Sequence, residues 1–519
     1  MEEMKQNIPE QPDHSQPWQP YYQPDMSQPQ PISYPWSYAF PTGSRELGFG
    51  AAMVLCGLAL CNFTLFGGFN LGFAIAAVAC ILCSTAYLLA SGCKPTAYST
   101  TILILCCVIA AAFARSDDGF VQFVMVCFLL VGLNLGFCLT AGQKHRDPGG
   151  VGSLLEPFRS VFGFGFGKIP GAFRGLRTAL RGSGTAGQKG GAVLLGLVIV
   201  LPVLAVLIPL LIRADAAFDG LLLLLPKFDI KEIVITLIFG CGLACFLYTR
   251  GVALCHSPKT AAAEKNRRKG MNILTVNTVL GAVCFVYVVY LLSQLAYFVG
   301  GFSGILPEEF TVAEYARRGF FEMAWLCAIN LAIMTLGVSL VKKNMTAPLS
   351  VRLLCLFIGL VTLFLVATAS MKMFLYIDAF GLTRLRVLTE VFMIWLGITT
   401  VVVSVWLFVP KLPYMKVVIL TAMMIGAAVI WVDVDTAVAR YNVSAYQTGK
   451  LETVDVEYLA SLSDGAVPYL ARLMDTEDPA VAQAAENALA NRRAYHNDDF
   501  RDWNYVNEIG EKVLDSLRD

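Results

Sequence analysis

Two stretches of this chain carry charge where the surrounding residues are oily. "IDAFGLTRLRVLTEVFMIWL" (377–396) holds Asp378, Arg384, Arg386 and Glu390, and "EEFTVAEYARRGFFEMAWL" (308–326) holds Arg317, Arg318 and Glu322. In each, an arginine precedes a glutamate by four residues, Arg318 before Glu322 and Arg386 before Glu390. That spacing is about one helical turn, so each pair can share a helix face. A guanidinium presents a planar fork of donors that suits a carboxylate or phosphate. A carboxylate at membrane depth faces a bundle interior or a cavity and marks ion or substrate paths. Arginine at a helix N-terminus opposes the macrodipole, and arginine-before-glutamate is the weaker order of the pair. Local physics therefore does not ask for these arginines. Two chemistries follow: a structural clamp in which Arg318, Glu322, Arg386 and Glu390 neutralise one another, or an anionic ligand held on the outer face by Arg317, Arg318, Arg384 and Arg386.

The elements that position them are membrane helices. The chain has 519 residues, of which 56% are hydrophobic and 15% charged; soluble domains carry about a quarter charged. Eleven apolar stretches, near 46–66, 70–90, 98–114, 119–141, 191–213, 231–249, 271–297, 319–341, 353–376, 387–409 and 415–434, have the length of a span or nearly so. At 1.5 Å per residue, crossing about 30 Å of hydrocarbon takes about 20 residues. Backbone groups must be satisfied within each segment, so the spans are helices. Thr383 is the expected N-cap and Gly381 the bend before the tenth stretch. The expected fold is an all-α polytopic bundle of about 11 transmembrane helices with a small C-terminal helical domain and a disordered Pro-rich tail. Residues 1–45 form the cytoplasmic tail, 46–141 a four-helix membrane segment and 142–190 a basic loop. Residues 191–434 form a seven-helix membrane domain, and 435–519 an acidic helical domain. Residues 436–519 hold 15 acidic and 8 basic residues, a net of −7. "DVEYLASLSDGAVPYLARLM" (455–474) shows helical spacing around Leu459, Leu462, Val467, Leu470 and Leu473, and "EDPAVAQAAENALANRR" (477–493) carries helix start and stop signals.

Orientation follows from Lys and Arg in the loops. The 142–190, 250–270 and 342–352 connections are all basic and all fall on one side, which identifies the cytoplasm. The N-terminus lies on that side and the C-terminus outside. Arg159, Lys168, Arg174, Arg177 and Arg181, interleaved with aromatics, suit a segment lying along an anionic leaflet. Net charge is +1, so global charge suggests no nucleic-acid partner. The fifteen cysteines sit almost wholly in apolar runs, where cysteine packs as a small hydrophobe. No metal-ligand spacing appears and no cofactor is expected. "RGSGTAGQKGG" (181–191) lacks the hydroxyl and the preceding strand of a phosphate-binding loop and reads as a linker. Asn442-Val-Ser444 fits the glycosylation pattern.

"EYARRGFFEM" (314–323), "YIDAFGLTRLRV" (376–387) and "VARYNVSAYQTGKLETVDVEYLASLSDGAVPYL" (438–470) resemble, in that order, an uncharacterised family of polytopic bacterial membrane proteins common in Firmicutes and known only as a domain of unknown function. The resemblance spans roughly 190–470. It implies a multi-pass protein of the bacterial plasma membrane and supplies no activity or catalytic residue. The expected role is a non-enzymatic component for envelope sensing, assembly or accessory transport, with the lipid bilayer, an envelope protein and an anionic outer ligand as partners. A transporter for an anionic or amphipathic solute, and a membrane enzyme acting on lipid or cell-wall precursors through Asp378 and Glu390, are the alternatives.

Overall fold

The computed structural model describes residues 40–41, 43–115, 118–142, 161, 163, 166–171, 196, 200, 203, 207, 230–256, 271–302, 320–341, 347–492 and 501–517. Among the described residues, ten helices form the membrane part: α1 Ser44–Phe66, α2 Leu71–Ala90, α3 Ala97–Ala112, α4 Gly119–Thr140, α5 Ile230–His256, α6 Ile273–Phe302, α7 Phe320–Ser339, α8 Leu349–Phe380, α9 Arg384–Phe408 and α10 Tyr414–Val432. Among the described residues, nine of these are long and apolar enough to cross a membrane, and α3 is a shorter apolar helix. They coincide with ten of the eleven expected stretches. The remaining one, the fifth, 191–213, lies outside the described residues apart from isolated positions, as do most of the tail and of the basic loop.

The helix lengths follow from local chemistry. α3 has 16 residues, about 24 Å, and begins at a capping box in which Thr96 and Ser99 satisfy each other's backbone donors. α8 has 32 residues, about 48 Å, and is longer than the hydrocarbon is thick. It stops at Gly381, whose φ of 72° and ψ of −179° are backbone geometry reserved for glycine. α9 then starts at Thr383, whose hydroxyl accepts a hydrogen bond from the Arg386 amide at 3.3 Å. Both the bend and the cap agree with the sequence reading.

The described membrane helices divide into two lobes. α1–α4 and α5 pack together around Met53, Ile102, Cys106, Ile109 and Met125. α6–α9 pack around Met334, Cys355, Ile358, Leu365 and Met393. α10 lies between the lobes, against α3 and α4 on one side and α9 on the other. α1 and α5 approach closely at Gly57, where an added methyl would come within 2.7 Å of the Gly240 carbonyl. No strand occurs among the described residues; an isolated bridge pairs Met271 with Val341.

The C-terminal part is a helical cap: α11 Val434–Gln447, α12 Val456–Ala460, α13 Val467–Leu473, α14 Pro479–Arg492 and α15 Tyr505–Ser516. Its core gathers Val438, Val443, Leu459, Leu462, Val467, Leu470, Leu473 and Leu489. Leu382, Val387, Leu388 and Val429 of the bundle pack against that core, so cap and membrane helices share one apolar interior. A domain of this size has a marginal core alone; continuity with the bundle offsets that. Arg492 ends α14 by donating to the carbonyls of Ala460 (2.6 Å), Leu462 and Ser463 (3.3 Å) and by pairing with Asp464 at 2.8 Å.

Candidate functional site

The opening charges meet the cap. Arg384, the first residue of α9, donates through Nε and Nη2 to the two carboxylate oxygens of Asp435 at 2.8 and 2.6 Å. Nη2 also lies 2.6 Å from Oδ2 of Asp118, an ionic contact that lacks hydrogen-bond alignment. Asp118 is itself the N-cap of α4, its Oδ1 accepting from the Val121 amide at 2.7 Å. Asp435 Oδ2 accepts further from the Ser463 amide at 2.8 Å, and the Arg384 amide donates to the Tyr458 hydroxyl at 2.7 Å. The two aspartate side chains are 1% and 3% exposed, the arginine 30%. One guanidinium thus joins three bodies: α9 of the second lobe, α4 of the first lobe and α11 of the cap.

A second tie lies beside it. Asn442 of α11 grips the backbone of Leu382, its Oδ1 accepting from the amide at 2.7 Å and its Nδ2 donating to the carbonyl at 2.8 Å. The side chain is buried and its amide nitrogen is engaged, so the group that the Asn442-Val-Ser444 pattern would offer is turned into the fold. Gly381 makes room for it, since a Cβ there would sit 2.6 Å from Asn442 Oδ1.

The remaining charges take separate partners. Arg386 lies one turn before Glu390 yet forms no ion pair with it; it donates to the carbonyls of Gly381 and of Phe380 (3.1 Å) and stacks 4.1 Å over the Tyr376 ring. It therefore caps the C-terminus of α8, where a cation suits the carbonyls. Glu390 is buried with Oε2 unpartnered. Asp378 pairs with Lys450 at 2.8 Å on the exposed rim, and Lys450 also donates to the Tyr441 hydroxyl at 3.2 Å. That carboxylate draws the Lys450 ammonium above its ordinary pKa. Glu322 is exposed in the first turn of α7, and Arg317 and Arg318 lie outside the described residues. Of the surface set, Lys168 sits in a short turn, Phe166–Lys168, against α5, and Arg159, Arg174, Arg177 and Arg181 lie outside the described residues.

The cap also docks on the first lobe. Tyr505 donates its amide to the Ala114 carbonyl at 3.0 Å, and Leu71 donates to the Trp503 carbonyl at 3.2 Å. Asn504 reaches the Phe113 carbonyl at 3.3 Å, and Arg501 pairs with Glu232 at the start of α5. At the hinge from α10 into α11, Asp433 adopts φ 52°, and its carboxylate accepts from the Thr436 hydroxyl. Burial pushes the Asp433 carboxyl above the ordinary carboxylate range; the neighbouring Asp435 charge adds to this, and Arg115 opposes it.

The fold and this junction define a class: an all-α, two-lobed polytopic membrane bundle whose helical cap is fastened to both lobes at one end. The chain belongs to the family defined by the domain of unknown function DUF4153, whose model matches residues 100–473. The match begins in α3 and ends with α13, so it contains Asp118, Arg384, Asn442 and Asp435 and excludes α14 and α15. No curated protein and no solved structure matches the chain.

Proposed function

We propose that the protein is a non-enzymatic component of the bacterial plasma membrane that holds its acidic cap rigidly on the extracytoplasmic face, with the N-terminus in the cytoplasm, and serves envelope assembly or sensing through that cap. The observation that carries this reading is the single guanidinium of Arg384 shared between cap and both lobes. A cap tied this way moves with the bundle and offers a fixed surface to an envelope partner. The basic residues of 142–190, 250–270 and 342–352 support the orientation, since α4, α5 and α7 all have their C-terminal ends away from the cap. The test is site-specific photo-crosslinking in cells from the exposed α14 positions Ala484 and Glu486. The reading expects a discrete adduct with an envelope protein that is lost when Arg384→Ala frees the cap. Absence of any discrete adduct from a cap shown to be folded contradicts it.

One observation favours a second reading, transport of an anionic or amphipathic solute. A cavity of about 640 Å³ lies along the seam between the lobes, walled by α4, α7, α9 and α10, and the buried Thr399 hydroxyl on α9 has no partner. Under this reading the Arg384 cluster keeps the lobes together at the capped end and leaves the other end free to part. Ala422→Trp, which fills the seam, then stops solute movement while the cap stays docked; unchanged movement removes the reading.

A further inference from the structure

Arg250 has no role in the capped junction. Its position in the sequence puts it among the basic residues of the 250–270 connection, but the structure places it inside α5, six residues before the helix ends at His256. It is only 9% exposed, and its Nε and Nη2 are fully buried without a hydrogen-bond partner. No carboxylate among the described residues pairs with it. The guanidinium carbon lies 5.9 Å from the Phe137 ring, a contact that orients a cation and leaves its donors unspent.

Those donors border a groove of about 280 Å³ walled by α2, α4 and α5. Its lining is apolar except for Arg250 and the Ser84 hydroxyl. Along α2 it runs from Phe73 to Leu88, about 22 Å at 1.5 Å per residue. That exceeds half of the about 30 Å hydrocarbon thickness, the depth reached by one acyl chain. Arg250, Phe137 and Leu88 stand near the C-terminal ends of α5, α4 and α2, the end opposite the cap, where the basic connections emerge. α5 has 27 residues, about 40 Å, so its last turns project past the hydrocarbon and bring Arg250 to the headgroup boundary. A buried, unpaired cation at the cytoplasmic end of a long apolar groove suits an amphipathic anion. Basic pockets between spans on the cytoplasmic side take phospholipid headgroups by this chemistry, and an ionisable group facing a bundle cavity marks a ligand path.

We propose that the groove between α2, α4 and α5 is a binding site for an anionic phospholipid of the leaflet opposite the cap, with an acyl chain along Phe73–Leu88 and the phosphate on the Arg250 guanidinium. The ligand is a resident lipid that fills the first lobe, and the proposal stands whatever the cap binds. Arg250 is retained inside the bundle because that phosphate neutralises it.

The test uses the full chain, purified in a neutral detergent and stripped of lipid. Thermal unfolding and native mass spectrometry are followed with phosphatidylglycerol, phosphatidylcholine or inorganic phosphate. The proposal expects phosphatidylglycerol to raise the melting temperature by several degrees and to appear as a bound adduct, while phosphatidylcholine and inorganic phosphate do neither. Arg250→Gln should weaken the lipid effect at least tenfold in concentration, and Arg250→Lys should retain part of it. Leu133→Trp, which fills the groove and leaves Arg250 in place, should also abolish the adduct, so the proposal remains testable if Arg250→Gln does not fold. An equal response to phosphatidylcholine, a response to inorganic phosphate alone, or an unchanged phosphatidylglycerol response in Leu133→Trp overturns it.

Discussion

Replacing Arg384 with alanine should free the cap. The guanidinium contacts Asp435 at 2.8 and 2.6 Å and Asp118 at 2.6 Å, and both aspartate side chains are almost wholly buried. Removing one partner of a buried ion pair costs about 3–5 kcal/mol, because the charge left behind loses its compensation. Arg384 is itself 30% exposed, so water screens part of the attraction and the low end, about 3 kcal/mol, applies. At 1.4 kcal/mol per tenfold, that is a rise of roughly 140-fold in the opening constant of the cap. Limited proteolysis of the purified protein in micelles reads this directly, since cleavage follows the open population when opening is fast relative to cutting. Cleavage between residues 433 and 492 should accelerate about a hundredfold. The Asp378–Lys450 pair is the internal control. Its side chains are 61% and 53% exposed and water screens such a pair, so Lys450→Ala should leave the rate close to that of the parent. A rate for Arg384→Ala within threefold of the parent would mean that this ion cluster does not hold the cap.

Three further outcomes follow from the same junction. Gly381→Ala forces a side chain into glycine-only backbone and onto Asn442 Oδ1, so the loss should be about 2–4 kcal/mol, read as a fall in melting temperature that Asn442→Ala only partly relieves. Thr383→Ala removes the α9 cap and should cost about 1 kcal/mol, measured by the same proteolysis rate. Asp433 sets a pH dependence: its folded carboxyl titrates above its unfolded value, so its contribution to stability is greatest below the unfolded pKa and is lost as pH rises through the folded one. Asp433→Asn keeps the acceptor for Thr436 and tolerates φ 52°. It should therefore flatten that slope and stabilise the cap at neutral pH relative to the parent; a variant less stable at pH 7 with an unchanged slope contradicts this.

The helices, the cap's polarity and the α8–α9 bend were legible because each is written in neighbouring residues: apolar run length, acidic excess, Gly381 and Thr383. The partners of the charges were not. Arg386 and Glu390 have the spacing of a pair, yet the carbonyls at the end of α8 lie closer to the Arg386 guanidinium and claim it. Arg384 is 51 residues from Asp435, and Asp118 stands still farther off on another lobe. No local period encodes such a meeting. The one signal is physical: an arginine on the side whose loops are acidic needs a carboxylate, and "RSDDG" (115–119), "ADAAFDG" (214–220) and "WVDVDT" (431–436) are among the segments that carry one at that end. Arg250 was missed for the converse reason, since it reads as a loop charge until α5 is seen to continue past it.

Arg384 couples the first lobe to the cap, and a double-mutant cycle between Arg384→Ala and Asp118→Ala measures that coupling. Opening constants for the parent, both single variants and the double variant give the interaction between α9 and α4 across the lobes. Groups sharing one ion cluster should show a coupling of about 0.5–3 kcal/mol. Additive effects within about 0.5 kcal/mol would mean that Asp118 and Arg384 stand side by side without acting on each other, and the three-body junction would fall.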